Sequence, residues 1–514
     1  MKKIILYIFL GLVLLTIGGY FYANYLVKSK LESFLAEQLS PELDFTYGDL
    51  DMTAITGAIA ISDIKIKLSN QMDTLVHTRA TVDKLSLSGF GYWKYFVQDQ
   101  IQFEKIEIDK NNITYFKDKF KSASKSDTIK QNPLATLQKT VLIKAIDIGK
   151  TSFTIYDSAR DSVVLRVAKA AFSARDVRTD DSTIRKRIPL TYGDIHLVSD
   201  SVFLRISPRD VMTVGHIELS NKDITIQDLT IKPKYSKEEY TRQISREHDY
   251  TDLVVPVVNV MGYDFGFSNS KLFTTVDKIQ LDAPVLGVYR DKRVADDPTF
   301  KPLYSKMLRD LSMDLMVDSI LVENSSITYE EKLKSDQPAG SIKFTDLDLT
   351  MSTVGNTQPK GELTKITANG LFQQSKLHVD WSFDVHNTND AFRFSGNIGR
   401  MPAANINSFT QPNLNIGFTG TLEEIYFDIS GNNNTSQTSM KMAYDDFKID
   451  VMRKDGKGIN KFLSGIANIF IPKDSEKNGD RYREGKGEAE RNKTQSVFNF
   501  VWVSILSALI KTMT

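Results

Sequence analysis

Apolar and polar residues alternate with period two along most of the chain beyond residue 45. The alternation is plain in Ile59-Ala60-Ile61-Ser62-Asp63-Ile64-Lys65-Ile66-Lys67-Leu68 and in Leu377-His378-Val379-Asp380-Trp381-Ser382-Phe383. It returns in Ile425-Tyr426-Phe427-Asp428-Ile429. This period marks strands with one face in an apolar environment and the other in water. Polar clusters such as Gly431-Asn432-Asn433-Asn434 punctuate the strands. Helical patches are few and short, with candidates over 91–97, 133–140, 236–246, 302–311 and 459–470. The chain is predicted to be mostly β.

A unit recurs inside this pattern: Ile-x-apolar, four residues, then apolar-x-apolar. Copies begin at Ile59 (Ile61, Ile66, Leu68), Ile106 (Ile108, Ile113, Tyr115) and Ile146 (Ile148, Phe153, Ile155). Others begin at Ile217 (Leu219, Ile224, Ile226), Ile279 (Leu281, Leu286, Val288) and Ile320 (Val322, Ile327, Tyr329). The two pairs of each copy are offset by an odd number of residues. One unbroken pleat therefore buries one pair and exposes the other. The chain must turn or bulge between them if both are to face one interior. This predicts many short strands, each with one greasy and one wet face. The copies are irregularly spaced, which excludes a regular solenoid.

A one-sided sheet has to cover its apolar face. Packing on a second sheet or closing into a barrel gives an ordinary filled core. Curling into a trough leaves an apolar channel that takes an apolar guest. The positions expected to line it are Ile59, Ile61, Ile106, Ile108, Ile146, Ile148, Ile217, Leu219, Ile279, Leu281, Ile320 and Val322.

The two ends of the chain differ from this pattern. Met1-Lys2-Lys3 precedes an uncharged run from Ile4 to Val27, longer as a helix than a hydrocarbon core of about 30 Å. Ile4, Leu10 and Leu14 mark its apolar centre, and Tyr22 an aromatic belt at its far end. Small residues suited to cleavage are poorly placed, so the run reads as an uncleaved signal-anchor with the amino terminus in the cytoplasm. The last segment, SVFNFVWVSILSALIKTM over 496–513, reads as an amphipathic helix. Its serines, Asn499 and Lys511 fall on one arc, and Phe498, Val501, Trp502, Ile505 and Leu509 lie on the wide apolar remainder. Such a helix plugs the sheet, lies on a membrane or docks on a partner.

The resulting organisation is an anchor over 1–27, an opening β region over 28–120, and a linker with a short helix over 121–140. A repetitive β region follows over 141–472, then a charged linker over 473–495 and the terminal helix over 496–514.

Composition narrows the function. Among 514 residues, 65 are Lys or Arg and 64 are Asp or Glu, a balance that disfavours nucleic acid as a partner. Cysteine is absent, which excludes disulfides, thiolate metal sites and a cysteine nucleophile. The six histidines have no metal-binding helical spacing. There is no nucleophile elbow, phosphate-binding loop or zinc-protease motif. Asp264-Phe265-Gly266 lacks every companion of a kinase site and reads as strand and turn. No catalytic, cofactor or metal residue is nominated.

Several segments resemble the AsmA-like family, in particular its Bacteroidetes-type branch. The basic start, single apolar helix and Leu31-Glu32-Ser33-Phe34-Leu35 are similar to its leader. Phe45 to Met52 followed by Gly57 to Ile66 resembles its chorein-like opening strands. Ile231 to Ser236, Val288 to Arg293 and Ser496 to Trp502 resemble segments of that branch. The similarity runs over essentially the whole chain without a diagnostic motif. It implies a long curled antiparallel sheet forming a groove, behind a single transmembrane helix in the bacterial inner membrane, with the bulk in the periplasm. It implies a non-enzymatic protein that binds or conducts phospholipid along the groove and supports outer-membrane lipid homeostasis. The cytoplasmic membrane, its lipids and outer-membrane proteins are the expected partners. The alternative is an envelope assembly or structural protein with a filled β core that binds partner proteins.

Overall fold

The computed structural model describes residues 18–29, 32–33, 42–71, 73–121, 139–184, 186–453, 459, 471–476 and 479–513. These residues are mostly β, with one large mixed sheet and a few short helices. Among them no helix is long and apolar enough to cross a membrane. The anchor positions Ile4, Leu10 and Leu14 lie outside the described residues, as do most of the candidate helices over 133–140 and 459–470. Tyr22 stands exposed on a helix over 18–29.

Two compact units divide the chain. The first comprises Met1–Ile206 with Thr213–Asn221, and the second Ser207–Met212 with Lys222–Thr514. The strands begin with β1 (Leu43–Thr46), β2 (Asp49–Thr53), β3 (Ala58–Ser69), β4 (Val76–Ser88), β5 (Gln100–Phe116) and β6 (Thr140–Asp157). They continue with β7 (Ser162–Thr179), β8 (Ile195–Ser199), β9 (Ser201–Arg205), β10 (Asp210–Val214) and β11 (His216–Leu219). In the first unit β1 and β2 pair with β3, and pairing then proceeds through β4, β5, β6 and β7. Both β8 and β9 lie on β7, and β11 lies on β8. Helix α1 (Tyr92–Val97) connects β4 to β5.

The second unit contains β12 (Asp223–Pro233), β13 (Tyr250–Met261), β14 (Asp264–Ser268), β15 (Lys271–Asp282), β16 (Val285–Asp291), β17 (Asp314–Lys332) and β18 (Gly340–Gly355). It continues with β19 (Thr364–Phe372), β20 (Ser375–Phe383), β21 (Phe392–Ile398), β22 (Met401–Pro402), β23 (Ile416–Gly431), β24 (Thr435–Val451) and β25 (Arg483–Glu490). Its helices are α2 (Lys237–Arg242), α3 (Tyr304–Arg309), α4 (Asn407–Leu414) and α5 (Val497–Met513). Ser236 and Glu239 close α2 with a reciprocal capping box.

Two expectations are corrected. The sheet is mixed rather than antiparallel: β5 runs parallel to β6, and β15 and β16 run parallel to β17. Parallel neighbours need a crossover of about a dozen residues or more, which residues 117–139 and 292–313 supply. The strands carrying the recurrent unit are also mostly long, because the chain bulges between the apolar pairs and continues in the same strand. Asp63, Lys110, Lys150, Ala283 and Asn324, each four residues after the Ile that opens its copy, have φ of 51, 49, 47, 46 and 53°. One residue in this left-handed conformation inserts an extra step, so the parity of the pleat reverses. The cost is about 1–2 kcal/mol for a non-glycine residue. Local bonds offset it: the Asp109 carboxylate accepts from Lys110 N at 3.0 Å, and the Asp348 carboxylate from Asn324 N at 2.8 Å. In β3 the outcome is explicit, since Ile59 and Ile61 before the bulge share one apolar cluster with Ile64 and Ile66 after it.

Candidate functional site

The register of the strands stacks the recurrent pairs into rows running across the sheet. In the first unit Ile61, Leu85, Ile108, Ile148, Phe172, Leu197 and Leu219 oppose one another on seven consecutive strands. Beside them runs Ile59, Leu87, Ile106, Ile146, Ala174 and Ile195. Beyond the bulges a further row holds Ile66, Ala80, Ile113, Phe153, Val167 and Val202. Of the lining positions here only Ile61 is buried, and Ile59, Ile106, Ile108, Ile146, Ile148, Ile217 and Leu219 are half-buried. Ile217 falls outside the rows, because its register partner is Ser199.

The second unit repeats the arrangement over eleven strands. One row reads Ile224, Val260, Ile279, Ile320, Met351, Ile366, Trp381, Phe394, Ile429, Thr438 and Gly487. Its neighbour reads Ile226, Val258, Leu281, Val322, Leu349, Ala368, Val379, Gly396, Phe427, Met440 and Gly485. All four nominated positions of this unit, Ile279, Leu281, Ile320 and Val322, therefore sit in two adjacent rows.

Burial changes along the first of these rows. Ile224 to Ile366 are half-buried, whereas Trp381, Phe394 and Ile429 are buried, Ile429 completely. The cause is α5. Val497, Phe500, Val501 and Ala508 of this helix join Trp381, Phe394, Phe427, Ile429 and Met440 in one cluster, with Tyr304 and Leu308 of α3 packed against it. Gly485 and Gly487 let the helix approach. A Cβ on either would lie 2.5 or 2.3 Å from a backbone nitrogen of α5, at Thr512 and Ala508.

This seating reverses part of the helical reading. Ser504 faces the sheet, fully buried, within 2.7 Å of the Ser436 hydroxyl and donating to Phe500 O at 2.7 Å. Close backbone approach selects small side chains there. Val501 is buried and Ile505 and Leu509 pack on the core, but Phe498 and Trp502 are exposed. Leu506 and Ile510 continue that outward stripe.

The opposite face is charged. Lys105 pairs with Glu107 and Asp147, Asp147 with Arg175, and Arg393 with Asp428. Charge also enters the apolar side at one end of β16: Arg290, in phase with Leu286 and Val288, makes a two-pronged bond to Asp249 at 2.7 and 2.8 Å, and Lys292 meets the buried Glu247 at 2.9 Å. Burial drives the Asp291 carboxyl upward, but bonds from Arg293 outweigh it and hold the group below the usual carboxylate range. Burial, aided by Asp291, pushes the Tyr289 phenol up to about 12. This cluster clamps strands together. Among the described residues no group of three acidic or histidine side chains is placed to hold a metal.

The chain matches no protein-family model and no curated protein.

Proposed function

We propose that the protein binds or conducts phospholipid along a curled apolar β-groove, as an AsmA-like component of the bacterial envelope anchored in the inner membrane with its bulk in the periplasm. The supporting observation is the pair of adjacent rows, apolar at every position from β12 to β19 and half-buried there except at Val258 and Ala368, which are buried, with the chain's own helix covering the rows beyond. Acyl chains lie along these rows while head groups stay in water. Each CH₂ removed from water contributes about 0.8 kcal/mol, so two acyl chains are held without a shaped polar pocket.

A second reading has its own support. The cluster beneath α5 is a filled core, as expected of an envelope assembly protein that works through its surface. Photo-crosslinking in cells separates the two. A benzoylphenylalanine at Ile148 or Ile320 captures phosphate-labelled lipid if the rows carry it. The same group at the exposed Glu107 or Glu323, on the charged face, does not. Absent or equal labelling at both sets of positions refutes the lipid reading.

A further inference from the structure

The first unit carries a second apolar surface, away from the rows. Helix α1 buries none of its residues, and Trp93, Phe96 and Val97 are 69, 77 and 56% exposed. Ile55, in the turn between β2 and β3, is 71% exposed. These two segments are bonded together. The Tyr92 hydroxyl donates to Ala54 O, and Phe90 N donates to Gly57 O at 3.4 Å. Phe90 holds α1 from beneath by ring contacts with Tyr92, Tyr95 and Phe103 at 5.1–5.5 Å. The side chains left outside are thus presented by a fixed support. At 150–250 Å² for each aromatic side chain, the patch is on the order of 500 Å², at the upper end for a monomer surface.

Its position names the occupant. Ala54 N donates to the Asn24 side-chain oxygen, which ties the same turn to the helix over 18–29. On that helix Phe21, Tyr22 and Tyr25 are 66, 64 and 69% exposed. The chain that leads into it, residues 4–17, is uncharged and almost wholly apolar. Exposed Trp, Tyr and Phe next to an apolar segment of this kind match the interfacial layer of a bilayer, where an aromatic ring meets both head groups and hydrocarbon.

We infer that α1 and the β2–β3 turn form a membrane-seating surface, with Trp93, Phe96, Val97 and Ile55 entering the interfacial layer of the phospholipid bilayer that holds the leader. This rests on the leader being a membrane segment, as in the proposed function. It adds that the β unit stands directly on the bilayer rather than hanging from a tether.

The test uses the full chain reconstituted into phosphatidylcholine–phosphatidylglycerol vesicles whose acyl chains carry bromine near the head group. The chain has three tryptophans, and brominated lipid should quench one component of their emission. That component disappears in Trp93→Phe and persists in Trp502→Phe. Phe96→Asp combined with Ile55→Asp, at exposed positions, keeps the circular dichroism spectrum and reduces the Trp93 quenching about twofold or more. Equal quenching in wild type and Trp93→Phe, in protein that still floats with the vesicles, overturns the seating and leaves the anchor standing. Protein that does not float overturns both. Lipid carriage along the rows is read separately by crosslinking at Ile320, so its failure is distinct.

Discussion

Ile320 and Ile429 occupy the same apolar row, on β17 and β23, yet differ in what lies above them. Aspartate at each position measures that difference. Ile429 is fully buried beneath the α5 cluster. Ile429→Asp forfeits about 3 kcal/mol of side-chain burial and places a carboxyl where no partner waits, at several kcal/mol more. The sum, about 5 kcal/mol or above, equals the lower end of the stability of an ordinary domain. Ile320 is half-buried. Ile320→Asp loses only part of the transfer term and its carboxylate keeps water, so the cost is about 1–2 kcal/mol. The assay is urea unfolding of the full chain in mild detergent, read by far-ultraviolet circular dichroism and, in a Trp93→Phe, Trp502→Phe background, by the emission of Trp381, which stands in the same row. Ile429→Asp should remove the cooperative transition, and Ile320→Asp should shift its midpoint modestly while abolishing lipid capture. Equal losses from the two substitutions would refute the open face at β17, and with it the groove.

Deleting Lys110 removes the bulge residue of β5, so Ile113 and Tyr115 turn to the charged face; the expected result is loss of soluble folded protein in expression and circular dichroism, whereas Lys110→Gly folds. Gly487→Val sets a side chain against the backbone of α5 at about 3 kcal/mol, and trypsin should then release the segment beyond Lys493 at a rate wild type does not show. The pH dependence has two limbs. Asp291 ionises in the native state below its unfolded value of about 3.9, so the unfolded chain binds more protons and stability falls as pH drops below about 4. Tyr289 stays neutral up to about 12 in the native state, whereas its unfolded phenol ionises near 10, so stability falls again as pH rises through that window. Asp291→Asn should flatten the acid limb of a pH-stability titration, and Tyr289→Phe the alkaline one.

The bulges were legible because parity is arithmetic: an odd offset between apolar pairs demands one extra residue, and five of the six copies place a left-handed residue at the same step. The length of the strands was not legible, since turn-forming residues such as Asp109-Lys110-Asn111-Asn112 serve a bulge as well as a hairpin. Strand β25 was hidden inside the segment read as a charged linker. The side that faces α5 is made of Gly485, Gly487 and Ala489, which carry almost no hydrophobic signal, while Glu484, Lys486 and Glu488 dominate the composition. Helix α4 contains Pro412 and has no apolar period, so nothing announced it. Ser504 was assigned to water by polarity alone, although a helix serine that donates to the carbonyl four residues back satisfies its own hydroxyl and is small enough for a close interface. Ile217 matched the repeat in sequence but not in register, because rows are set by pairing partners on other strands.

Helix α5 also bears on what the uncovered part of the face accepts. It is an apolar cylinder about 10 Å across that the chain lays on its own rows from Trp381 to Gly487. The residues before Trp381 continue those rows with the same character and, among the described residues, belong to none of the large apolar clusters except by the partial burial of Ile366 and Val379. A pair of acyl chains has a comparable girth and needs no more directional contact than the helix makes. Each rung also offers much the same aliphatic surface as the next, so a guest advancing by one strand spacing of about 4.8 Å exchanges like for like. On the proposed reading such a face would hold hydrocarbon without trapping it, and for the same reason would impose no direction. Net flow, on the proposed reading, must follow from a difference in lipid supply at the two ends of the path.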